Sequence, residues 1–130
     1  MQRFRLAPAI IAGILFLLLA GCAGSGRTVS VRDGGRPETV RMTAADFKFD
    51  PAVIKASPGG VLTIEIENTS NADHNFTIKD PSGKVLQDIE LPEKTTQEVR
   101  IEISQPGIYP YHCDKPFHAT LGMKGRIEVE

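Results

Sequence analysis

One loop of the 130-residue chain concentrates the residues able to do chemistry: Tyr111-His112-Cys113-Asp114-Lys115-Pro116-Phe117-His118-Ala119-Thr120-Leu121-Gly122-Met123. Two of the three histidines lie in it, and Cys113, His118 and Met123 follow one another as Cys-x4-His-x4-Met. Thiolate, thioether and imidazole together select copper, and a His₂Cys set with a long axial Met is the donor set of sites that move single electrons. Zinc also takes Cys and His, but a thioether is a poor ligand for it. No paired carboxylates and no nucleophile–base pair stand out as candidates for acid–base or covalent catalysis.

The phase of the strands selects the remaining donor. Alternation through Asp73-His74-Asn75-Phe76-Thr77-Ile78 puts His74 on the face of Phe76 and Ile78, which is the core face. Tyr109, Tyr111 and Cys113 likewise share one face of the strand that leads into the loop. His112 points the opposite way and is excluded. The candidate metal set is therefore His74, Cys113, His118 and Met123, with Pro116 and Gly122 turning the loop back on itself.

The rest of the chain reads as the scaffold for that set. Val61–Glu67 alternates, with Leu62, Ile64 and Ile66 on one face and Thr63, Glu65 and Glu67 on the other; Glu98–Ile103 and Gly125–Glu130 repeat the pattern. Pro58-Gly59-Gly60, Pro81-Ser82-Gly83 and Gln105-Pro106-Gly107 are turn clusters. No stretch sustains a helical period. Short strands with turns between them predict an all-β sandwich or barrel over residues 39–130, and the charged outer faces predict antiparallel sheets covered on one side. So small a domain buries only about 60–65% of its extended-chain surface, so a bound metal adds usefully to stability.

Residues 1–21 read as an address. Arg3 and Arg5 precede an apolar run from Leu6 to Ala20, the layout of an export signal. That run falls short of the roughly 18–20 residues that span a bilayer; an uncleaved anchor is the alternative. Leu19-Ala20-Gly21-Cys22 resembles the bacterial lipobox, which makes Cys22 the expected lipidation site and new N-terminus. Cys113 then has no disulfide partner, and in an oxidising compartment that needs an explanation, either a buried structural thiol or a ligand. Ala23, following Cys22, fits the outer membrane of a two-membrane host or the outer face of a single plasma membrane. Residues 22–38, rich in Gly, Ser and Arg, read as a flexible tether with a mean reach of about 20–25 Å. Removing residues 1–21 leaves 13 basic against 16 acidic residues, a net charge of −3. That balance offers no basic field for nucleic acid. Nothing suggests more than a tethered monomer.

Taken together, residues 39–130 resemble the small blue copper proteins of the cupredoxin family. The resemblance rests on Asp46-Phe47-Lys48-Phe49-Asp50-Pro51 with Ile54, Pro58-Gly59, Asn68 and His74-Asn75-Phe76. It continues through Pro106-Gly107-Ile108-Tyr109, Tyr111-His112-Cys113 and Gly122-Met123-Lys124-Gly125. The loop spacing is more similar to auracyanin and rusticyanin than to plastocyanin, whose Cys–His gap is shorter. The family implies a Greek-key β-sandwich with one copper ion at one end. It also implies equatorial ligands His74, Cys113 and His118, with Met123 as the weak axial ligand. Asn75 would bridge the two ligand loops and donate its N–H to the Cys113 sulfur. Electrons would leave through the exposed edge of His118. A patch of Pro116, Phe117, Ala119 and Leu121 around it would dock redox partner proteins briefly.

Three departures from the family pattern carry expectations. Phe117 stands where relatives often have Gly, which alters the loop and its outer surface. Asp73 stands where azurin has a Gly whose carbonyl approaches the copper, so a fifth contact is in doubt. Asp114 beside the thiolate favours Cu(II) and a lower potential unless solvent screens it. The expected function is one-electron transfer at the outer side of a bacterial membrane. The same four ligands would also serve copper delivery or storage, which is the alternative. A catalytic copper site would need the position that Met123 closes, and a metal-free lipoprotein sandwich would take up no copper.

Overall fold

A computed structural model describes residues 26–31 and 38–130. The export-signal and Cys22 expectations lie outside the described residues. Ten strands form: β1 (Thr28–Ser30), β2 (Glu38–Ala45), β3 (Lys48–Asp50), β4 (Val53–Ala56), β5 (Gly60–Asn68), β6 (His74–Lys79), β7 (Val85–Leu91), β8 (Thr96–Ile103), β9 (Gly107–His112) and β10 (Lys124–Val129). No helix occurs among the described residues. One sheet has the order β1-β4-β10-β9-β6-β7 and the other β3-β2-β5-β8. The chain changes sheet from β1 to β2, β3 to β4, β4 to β5, β5 to β6, β7 to β8 and β8 to β9, the Greek-key manner of a β-sandwich. The all-β expectation and the alternating faces therefore hold: Leu62, Ile64 and Ile66 of β5 are buried, as are Val99, Ile101 and Ile103 of β8.

Two expectations are corrected. The sheets are mixed: β2 runs parallel to β5, and β4 runs parallel to both β1 and β10. Alternation fixes which face a residue takes but not the direction of the neighbouring strand, and connections that cross between sheets bring like-directed strands together. Within the supposed tether, Thr28–Ser30 pairs with Val53–Lys55 as β1. The open edge of β4 supplies hydrogen-bonding groups that a three-residue strand can satisfy, and Val31 packs against the core behind it.

The site lies at one end of this sandwich. β6 begins there at His74, β9 ends there at His112, and β10 starts there directly after Met123. Beneath it, Phe49, Phe76 and Tyr111 pack with ring centroids 5.2–5.7 Å apart. The buried Tyr111 hydroxyl donates to the Pro51 carbonyl (2.8 Å), and burial pushes its pKa well up, so it stays neutral. Gly125 is required below: a Cβ there would collide with the Tyr111 ring and the Ala52 carbonyl.

Candidate metal centre

His74, Cys113 and His118 meet at this end, their donor atoms all within 4.8 Å of one another. His74 Nδ1 is 3.1 Å from His118 Nδ1, which is 3.4 Å from the Cys113 sulfur. A metal held at about 2.0–2.3 Å by each donor sets donors about 3.4 Å apart, so the pocket is already at metal-binding size.

His74 is delivered by a strand and oriented from behind. The Asn68 amide donates to the carbonyls of Ala72 and Leu91 (2.8 Å each), and its oxygen accepts from the Ser70 N–H and hydroxyl (3.0 and 2.7 Å). Having spent its proton on Asn68, Ser70 Oγ accepts from His74 Nε2, 2.9 Å away. That fixes the proton on Nε2 and leaves the Nδ1 lone pair facing the other donors. Burial first, then the neighbouring His118, lowers the His74 pKa below 6.5, which keeps the ring neutral and able to ligate.

The other donors come from one loop closed by its own backbone. The Cys113 N–H donates to the Met123 carbonyl (3.1 Å), and the Met123 N–H to the His118 carbonyl (2.9 Å). Leu121 N–H reaches Phe117 O (2.8 Å), and Gly122, at φ 118°, makes the turn that an L side chain resists. Cys113 and Met123 are both fully buried. A thiol and two imidazoles at this spacing, with the thioether of the fully buried Met123 closing the same loop, fit copper and fit zinc poorly.

His112 lies outside the cluster and bonds Asp114 instead, Nε2 to Oδ1 at 2.6 Å. The Asn75 side chain spans the two ligand segments, its oxygen accepting the Asp114 N–H (2.7 Å). The Cys113 sulfur has His118 Nδ1 as a polar neighbour, 3.4 Å away. The Asn75 amide and the Thr77 hydroxyl both face Asp88 and Asp114 (2.8–3.4 Å). The Thr77 hydrogen bond is the main cause that holds the Asp114 carboxyl below its usual range, with His112 adding to it.

Only the outer rim faces solvent. Phe117 is 77% exposed, Leu121 60% and Phe47 41%, and the Phe47 ring meets the His118 ring edge-on at 5.0 Å. A cleft of about 250 Å³, lined by Asp46, Phe47, Ser70, Ala72, His74 and His118 among others, opens over the two imidazoles. Phe47 and Phe117 both have left-handed backbone, φ 63° and 67°, where glycine is the ordinary occupant. Sequence reasoning missed Ser70, Phe47, Thr77 and Asp88. Asn68-x-Ser70-x3-His74 was a readable signal for the first; the others reach the site through pairing with distant segments.

Known proteins match this architecture. A family model described as a cupredoxin-like domain fits residues 9–129. Auracyanin from Roseiflexus castenholzii superposes with a TM-score of 0.64 at 19% identity, over 74% of this chain and 99% of its own. Auracyanin A from Chloroflexus aurantiacus gives 0.63 at 21%, over 73% and 100%. The metal-binding domain of a Cu(I)-exporting P-type ATPase from Streptococcus pneumoniae, solved with Cu(I), gives 0.62 at 15%, over 82% and 99%. With its match running nearly the length of the sequence and its donors gathered at the end of the sandwich, the chain belongs to the cupredoxin-like family, and its cofactor is one copper ion.

Proposed function

We propose that the protein carries single electrons, anchored by lipid on Cys22 at the outer side of a bacterial membrane. The observation that carries this reading is a donor set already held at metal-binding distances, with one ligand, His118, at the rim of an apolar surface. Bound copper supplies a one-electron couple between Cu(I) and Cu(II). The protein's part is to hold the donors so that neither state demands much rearrangement. Ser70 locks one ring, the loop hydrogen bonds fix the spacing of the rest, and the Phe49–Phe76–Tyr111 cluster keeps water out from below. Phe47, Phe117 and Leu121 around His118 suit brief docking of redox partner proteins. The chain acts as a monomer and performs no enzymatic step in this reading.

Copper delivery or storage is the second reading. The cleft over the two imidazoles favours it, as does the likeness to a Cu(I)-bound domain of an exporter. Titrating the chain from Gly26 onward with Cu(II), beside Cys113→Ser, tests the site. An intense Cu–thiolate band saturating at one copper per chain, and absent from the variant, is expected. Reversible voltammetry with copper retained over many cycles supports the carrier; rapid loss of copper to a chelator supports the donor. A colourless protein that takes up no copper overturns both.

A further inference from the structure

The chain enters the domain at the copper end. β1 lies parallel to β4 with Thr28 opposite Val53, and β4 parallel to β10 with Val53 opposite Arg126, three residues after Met123. The start of β1 is therefore beside the metal loop. Gly26 fits against Ala52, where a Cβ would meet the alanine methyl at 2.9 Å, and it lines a cleft of about 380 Å³ together with Gly122. Three cations, Arg27, Lys48 and Lys124, line that cleft against one carboxylate, Asp50, which Arg27 approaches at 3.7 Å.

We propose that β1 turns the copper end toward an anionic lipid surface, with Arg27, Lys48 and Lys124 as its headgroup contacts. The inference rests on the reading of Cys22 as acylated and sharpens it. Only residues 23–25 separate Cys22 from Gly26, and four Cα steps reach at most about 14 Å. A tether running free to residue 38 would let the domain tumble; one that ends at Gly26 does not. Local cations within about one Debye length of anionic headgroups then fix the orientation, although the exported chain as a whole is acidic. Asp46 and Asp73, beside His74 and His118 on the other side of that end, are the charges such a surface repels, so the β1 edge meets the headgroups and the His118 rim stays open to partner proteins.

The test uses the lipidated, copper-loaded chain in its reduced form, in vesicles of equal parts phosphatidylethanolamine and phosphatidylglycerol doped with a headgroup nitroxide lipid. A dye is placed at Leu121→Cys, in the copper-end loop, or at Ser82→Cys, in the turn at the far end. Several-fold stronger quenching at position 121 is expected. Val29→Pro, which breaks β1 at the sheet edge, should bring the two signals together. So should insertion of about eight Gly/Ser residues before Gly26, which leaves the fold untouched. Lys48→Glu with Lys124→Glu should shrink the difference. Equal quenching in the otherwise unchanged chain overturns the proposal, as does a difference that survives both β1 release and the insertion. A difference seen in native membranes but absent from these vesicles overturns the lipid surface in favour of a protein partner. Vesicle flotation and the mass of the N-terminal peptide separate the two readings. A chain that is not acylated and does not float removes the anchor along with the orientation; one that floats with equal quenching removes the orientation alone.

Discussion

The two sides of the metal centre are built on different principles. His74 is the first residue of a strand, buried, with its tautomer set by Ser70 and Asn68. Cys113, His118 and Met123 hang on an eleven-residue loop whose order comes from backbone hydrogen bonds and one left-handed glycine. The strand side is specified by side chains, so it should respond to side-chain changes in ligand basicity and orientation. The loop side is specified by backbone, so it should respond to conformational changes. Surface exposure follows the same division: His74 is buried, whereas the loop supplies Phe117 and Leu121 to the rim.

Substitutions can break that division, and Gly122→Val should have the largest effect. A Cβ there has ordinary room, 3.5 Å from the Phe47 carbonyl, so its cost is backbone strain of about 1–3 kcal/mol. Denaturant unfolding of the metal-free protein measures it, and the Cu–thiolate band should shift as Met123 moves. Next, Ser70→Ala should weaken copper binding about 10–100-fold with little change in global stability, read by competition with a chelator. An unchanged affinity would show that Ser70 does not set the ring. Phe117→Gly should be smaller: relief of a left-handed conformation worth about 1–2 kcal/mol is offset by glycine's backbone entropy of about 0.5–1 kcal/mol. A slight net stabilisation is expected, with slower electron exchange with partner proteins because the exposed ring is gone.

The smallest effect is on pH dependence. His74 in the metal-free fold has its pKa lowered by burial and by His118, so below 6.5 the unfolded chain binds more protons than the fold does. Its contribution is therefore complete above about pH 6.5 and declines as pH falls from there toward the folded value. His74→Gln should flatten that part of the stability–pH curve.

The same division decides what the sequence made legible. His74 and Cys113 could be read because strand alternation states which way each points, and because Cys-x4-His-x4-Met is a compact pattern. His112 could be set aside on the same phase argument. Parallel pairing of β2 with β5 could not be read, since both partners alternate identically whichever way they run. Nor could β1: Thr28-Val29-Ser30 is too short to show a period, and what orders it is an edge some 25 positions away in sequence. Phe47 reaches His118 through the turn between β2 and β3, where Asp46 and Phe47 both take positive φ, so its place depends on a backbone geometry that its residue type argues against.

The pairing of β1 with β4 also bears on solubility. A fragment starting at Val40, where the continuous alternating pattern begins, would leave β4 as the naked margin of a six-stranded sheet reduced to five. Exposed margins of that kind recruit further strands, and the outward Lys55 is the one charged guard in the sequence Val53-Ile54-Lys55-Ala56. Short forms of this protein should therefore self-associate in proportion to how much of residues 26–31 they lack, whatever their copper content.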